Sequence, residues 1–169
     1  MTGRRSGRIL LGSLAGFVAT WPMTLAMRRL HAALPAHERY PLPPREIAEV
    51  LPRLSASRSS AALLHHFLYG AATGAVFGAA ARGRSMTSGA AYGVLVWAGS
   101  YLGWIPAAGI LRVATRHPLR RNLLMLTVHG IWGACLAVAL RELEAAERDS
   151  FSRSGAPARG LPDRVAGHR

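Results

Sequence analysis

Four stretches of this chain contain no Asp, Glu, Lys or Arg, and each is long enough to be a complete helix. They run from Ile9 to Met27, Ser59 to Ala81, Ser85 to Leu111 and Asn122 to Leu140, with lengths of 19, 23, 27 and 19 residues. An α-helix rises about 1.5 Å per residue, so roughly 20 residues cross a ~30 Å hydrocarbon core. The outward helix faces of a soluble domain this size would carry charge every few residues. The windows therefore predict an all-α, polytopic membrane protein: four transmembrane helices in a tight Gly/Ala-packed bundle, at about 9–27, 60–81, 86–111 and 122–140.

The charges fall between these windows. All 21 basic residues are arginine, and the net charge is +13. Arginines flanking apolar spans are expected to contact the lipid bilayer through its anionic headgroups. No stripe of basic and aromatic residues marks a soluble nucleic-acid-binding domain, so no nucleic-acid partner is expected. With four spans, both termini and the turn at 82–84 share one side, which holds 11 arginines against 10 on the other. That near balance gives the positive-inside rule little to act on. The arginines around the first span, three before and two after, favour cytoplasmic termini. The first window could also be read as a signal peptide, since Arg4, Arg5 and Arg8 precede it. The run continues through Trp21 and Pro22 to Met27, however, and no small-x-small cleavage site follows directly.

The connections differ in length. Only Arg82-Gly83-Arg84 separates the second and third windows, which makes those helices antiparallel neighbours. About 30 residues join the first two, and within them 44–51 has a proline in its first turn, Glu46 near its start and Pro52 as its stop. This segment reads as a surface helix. Pro22 is expected to kink the first span and Pro106 to bend or end the third. The helical domain covers 1–145. Residues 141–148 could extend the last helix into water with Glu144 and Arg148 paired, and 146–169 reads as a disordered, Arg-rich tail.

Small residues recur at steps of four: Gly12 and Gly16; Gly70, Gly74 and Gly78; Gly89 and Gly93; Gly99 and Gly103; Gly133 and Ala137. Lipid provides no hydrophobic drive between helices, so close backbone approach along such stripes is what holds them. The same faces could serve a homo-oligomer or a partner membrane helix. Tyr69-Gly70 is also echoed by Tyr92-Gly93.

The chemistry concentrates in one half of the bundle. His65 and His66 lie six and seven residues into the second window and His129 seven into the fourth. These helices run the same way, so the imidazoles share a depth of ~9–10 Å from the charge boundary. Trp21 and Trp104 reach the same level from the oppositely running helices, with Tyr69 and Tyr101 slightly deeper. The candidate ligand or proton-path residues are therefore His65, His66, Tyr69, Tyr101, Trp104 and His129. Three readings are open. The layer is an interfacial aromatic belt, a polar cavity for protons, an ion or a small ligand in a conducting or transport protein, or a haem site between His66 and His129 in a redox subunit.

Other chemistry finds no footing. No carboxylate lies inside a window, so paired acid/base catalysis there is excluded. Ser100 has no evident base, Cys/His spacing matches no zinc site, and a chain without lysine has no lysine-bearing phosphate loop. No catalytic residue, metal or resident cofactor is expected, and a non-enzymatic role follows. Cys135, the single cysteine, reads as a packing residue.

The segment Tyr40-Pro41-Leu42-Pro43-Pro44-Arg45, placed after a first span, resembles the YagU-like family of small bacterial inner-membrane proteins. The last span, with His129 and Trp132 before Arg141-Glu142, is also similar. The resemblance implies a multi-pass protein of the bacterial inner (cytoplasmic) membrane, without an established biochemical activity. It draws attention to Pro43, Pro44 and Arg45 as surface-loop candidates.

Overall fold

Long apolar windows rich in Ala, Leu and Gly become long helices. The computed structural model describes residues 2–39, 58–81, 83–109, 115 and 117–154. Among these, four long helices form and no strand: α1 (Thr2–Ala32), α2 (Arg58–Ala80), α3 (Met86–Ala98) and α4 (Leu119–Ser154). A short 3-10 turn (Ala36–Glu38) follows α1. The surface helix expected at 44–51 and the loop candidates Pro43, Pro44 and Arg45 lie outside the described residues.

Two of these helices, over Arg5–Ala32 and Leu119–Ser150, are long and apolar enough to cross a membrane by length and composition. The other two fall short of that measure for local reasons. His65, His66 and three glycines dilute α2, and the α-helical run of α3 stops at 13 residues.

That stop is a backbone event. From Gly99 to Trp104 the chain is π-helical, and the Ile105 N–H reaches back five residues to the Ser100 carbonyl. Gly103 leaves the helical region altogether (φ −111°, ψ −109°). One α-turn (Ile105–Ala107) follows, and Gly109 closes it with a positive φ of 70°. The bend expected at Pro106 thus begins seven residues earlier. α1, in contrast, runs unbroken through Pro22.

Both outer helices exceed their charge-free windows. α1 begins at Thr2, and α4 continues to Ser154, so a disordered tail from residue 146 is corrected: 146–154 is helix. The extensions lie side by side, since a Cβ on Gly7 would stand 3.8 Å from Glu147 Oε1. Glu144 bonds Arg84 of the inter-helix turn.

The helices run up, down, up and down. α1 packs along α2, α3 along α4, and α1 along α4. Within each of the first two pairs the backbones nearly touch. A Cβ on Gly16 would lie 2.8 Å from Gly74 Cα, and one on Gly133 would lie 2.9 Å from the Gly93 nitrogen. No side chain fits either seam. Gly99 and Gly103 face open space and take no part. α2 and α3, the expected close neighbours, meet mainly through side chains: Phe77 against Tyr92 (5.0 Å), and the Tyr92 hydroxyl donating to the Thr73 carbonyl (2.7 Å).

The core lies along α1 and α4. Ala15, Ala19, Met23 and Met27 of α1 meet Val128, Trp132, Leu136 and Leu140 of α4. Trp132 Nε1–H donates to the Gly16 carbonyl at 3.3 Å, fastening the two helices at mid-height. The outside is apolar as well. Leu10 (69% exposed), Trp21, Val76, Leu95 and Leu102 are all half or more exposed.

Candidate functional site

The two glycine seams hold their helices closely, and α3 leaves its regular path at Gly99. Space opens between α2 and α3 at that level. It is a cavity of about 390 Å³, to which all four helices contribute. This lies in the ~300–1,000 Å³ range of small-molecule sites.

All six residues singled out from the sequence line it. His65, His66 and Tyr69 come from α2, Tyr101 and Trp104 from the π segment, and His129 from α4. Equal depth along the helices brings the imidazoles to one level, and the stripes His66–Gly70 and His129–Gly133 turn two of them inward. Trp21, expected at the same level, faces outward and does not line the cavity. It is 63% exposed and packs on Phe67, whose ring also meets Phe17 at 4.9 Å.

Several lining residues were not foreseen: Thr20, Met23, Met27, Thr73, Val96, Ser100, Ile105, Met125 and Trp132. A stripe did carry part of this signal. Gly12, Gly16, Thr20, Met23 and Met27 follow one another at steps of four and three on a single face of α1. Methionine there reads as ordinary core, and nothing local marks it as cavity wall.

Four of the hydroxyls around the cavity are already engaged. Thr20 Oγ1 donates to the Gly16 carbonyl (2.8 Å), Thr73 Oγ1 to the Tyr69 carbonyl (2.8 Å) and Ser100 Oγ to the Val96 carbonyl (2.7 Å). Ser100 has one proton and spends it there, so the Tyr69 hydroxyl is the donor in its 2.7 Å bond to Ser100 Oγ. That bond ties α2 to the π segment, and the Tyr69 ring lies 6.1 Å from Trp104.

The imidazoles are different. His129 Nδ1–H donates to the Met125 carbonyl at 2.7 Å, which fixes the ring and points Nε2 away from its own backbone. His66 Nε2 and His65 Nδ1 are buried and have no hydrogen-bond partner. A buried polar atom without a partner is costly, so these nitrogens are places where a bound molecule would be favoured.

Aromatic rings close the cavity on one side. Phe77, Tyr92 and Trp132 form a chain across α2, α3 and α4, with centroid spacings of 5.0 and 6.1 Å. Beyond them Leu136 and Leu140 are fully buried. The opposite rim is open: Leu68, Tyr69 and Trp104 are 53%, 37% and 47% exposed. Among the described residues no group of three or more His, Cys, Asp or Glu side chains could hold a metal ion.

No known protein family, curated protein or solved structure matches this chain.

Proposed function

We propose that this chain is a four-span integral membrane protein, of the bacterial inner membrane, that binds a small organic molecule within the bilayer and carries out no catalysis of its own. The observation that carries the reading is the cavity. Three helices bring His65, His66, His129, Tyr69, Tyr101 and Trp104 to one walled space with an open apolar rim.

The four-span reading rests on the outside of the bundle. Large apolar side chains are exposed on α1, α2 and α3 alike, a surface that suits hydrocarbon and is costly in water. α2, with 23 residues, has the length for a crossing. The third span would combine α3 with the π segment and the turn after it. The YagU-like resemblance agrees with this location, and the arginines around the first span, three before and two after, favour cytoplasmic termini.

The same geometry weighs against a proton path. Such a path must continue past the histidines, and the Phe77–Tyr92–Trp132 floor and the Leu136–Leu140 core fill that direction.

The test is a titration of purified, detergent-solubilised protein with 1-aminoanthracene, a small neutral fluorescent aromatic. Saturable binding is expected, and Val96→Phe, which fills the cavity, should abolish it while thermal stability is kept. Equal binding by the variant and the native protein would overturn the reading.

A further inference from the structure

We infer that the cavity selects a neutral, membrane-dissolved aromatic hydroxyl compound, a phenol or quinol, whose O–H donates to His129 Nε2. The inference rests on the ligand-binding reading above and names the class of ligand.

The hydrogen-bonding groups of the lining set the ligand's polar end. Thr20, Thr73, Ser100 and Tyr69 have each committed their hydroxyl proton within the protein. None of these four is available to donate to a ligand without breaking a bond already formed. His129 has committed Nδ1–H to the Met125 carbonyl. Among the described residues no Asp or Glu lines the cavity to accompany an imidazolium. His129 is then the singly protonated ring, and its Nε2 carries a lone pair. A lone pair in an apolar cavity calls for a donor, and an O–H supplies one without bringing in charge. His66, whose buried Nε2 has no hydrogen-bond partner, belongs to the same lining.

The remaining walls set the rest of the molecule. Met23, Met27 and Met125 are polarizable and adapt to a flat ring. Tyr101 and Trp104 present aromatic faces and edges. Carboxylates and phosphates find no arginine in the lining among the described residues, which excludes an anionic ligand. Leu68 and Trp104 stand exposed at the rim between α2 and α3, so an apolar molecule enters sideways, through the wall of the bundle.

Thymol and its methyl ether test this directly. They share one substituted ring; the ether adds a methyl at the oxygen, and only thymol can donate. Binding of each to detergent-solubilised full-length protein is measured by displacement of 1-aminoanthracene. Thymol is expected to bind about tenfold more tightly than the ether, the difference one buried hydrogen bond makes. In His129→Phe that preference should vanish while the ether keeps its native affinity. Should His129→Phe fail to fold, the nitrogen-15 resonance of His129 Nε2 in the native protein serves instead, and it should move with thymol and stay with the ether. Equal binding of the two compounds overturns the donor requirement and leaves the ligand-binding reading intact. A preference that persists in His129→Phe, or an unmoved Nε2 resonance, overturns the role of His129. If neither compound nor the dye binds, the ligand-binding reading itself falls.

Discussion

The bundle is two glycine-seamed hairpins, and comparing them explains where the cavity comes from. In α1/α2 the seam runs from Gly12 and Gly16 against Gly70, Gly74 and Gly78, and both helices stay regular past it. In α3/α4 the seam of Gly89 and Gly93 against Gly133 is followed, six residues after Gly93, by the π segment. Each pair sends a tyrosine adjoining a seam glycine across to the other: Tyr69 to Ser100, Tyr92 to Thr73. One hairpin is a straight wall, and the other is a wall that bends away. The difference shows that close packing and an open site can be built from the same small residues, provided the backbone is released at one point.

Substituting the seams should give the largest effects. Gly74→Ile and Gly133→Ile are each expected to abolish recovery of folded protein, because a side chain would meet backbone on the facing helix. Size-exclusion profiles of the two variants check this, and a monodisperse Gly133→Ile would mean that the second seam yields where the first does not. Next comes Trp132→Phe, which removes the bond to the Gly16 carbonyl and part of the floor shared by both hairpins. A loss of about 1–3 kcal/mol is expected, read as a lower thermal midpoint.

The crossing tyrosines sharpen the comparison further. Tyr92→Phe and Tyr69→Phe each lose one hydrogen bond, about 0.5–1.5 kcal/mol. Tyr69→Phe should cost less, since Ser100 Oγ keeps its own bond to Val96; thermal denaturation of the pair would expose the reverse order. The smallest effect belongs to Gly99→Ala. Gly99 is helical in φ and ψ, and nothing lies within 4 Å of an added Cβ. Alanine there should raise stability by about 0.5–1 kcal/mol, and a fall would show that the π segment depends on glycine at its first position.

Much of this was legible in the sequence, for identifiable reasons. Charge-free windows of helical length located α1, α2 and α4 because nothing but a helix satisfies so long an apolar backbone. The small-residue stripes located both seams, since a step of four is a statement about one helix face. The depth of His65, His66 and His129 followed from counting residues. The site's other half was not legible. Met23, Met27 and Met125 look like any core residues, and their exposure to a cavity depends on the path α3 takes. That path departs at Gly99, where no proline marks it, whereas Pro22, the conspicuous breaker, lies in a helix that stays continuous. The last helix was legible as far as Arg148; its continuation to Ser154 was hidden by its polar composition, and the extension is steadied by the long-range bond of Glu144 to Arg84.

The π segment has one more consequence. A π turn is what an α-helix becomes when a single residue is added and both ends hold their places. Seen that way, α3 is an ordinary helix with one residue too many, and the cavity is the room that residue made. Removing Gly103 would return the stretch to α-helical winding with both ends still in place, drawing the α3 wall back toward the bundle and narrowing the cavity. The size of the binding space is therefore a matter of chain length, adjustable by insertion or deletion at a single position while every lining residue keeps its identity.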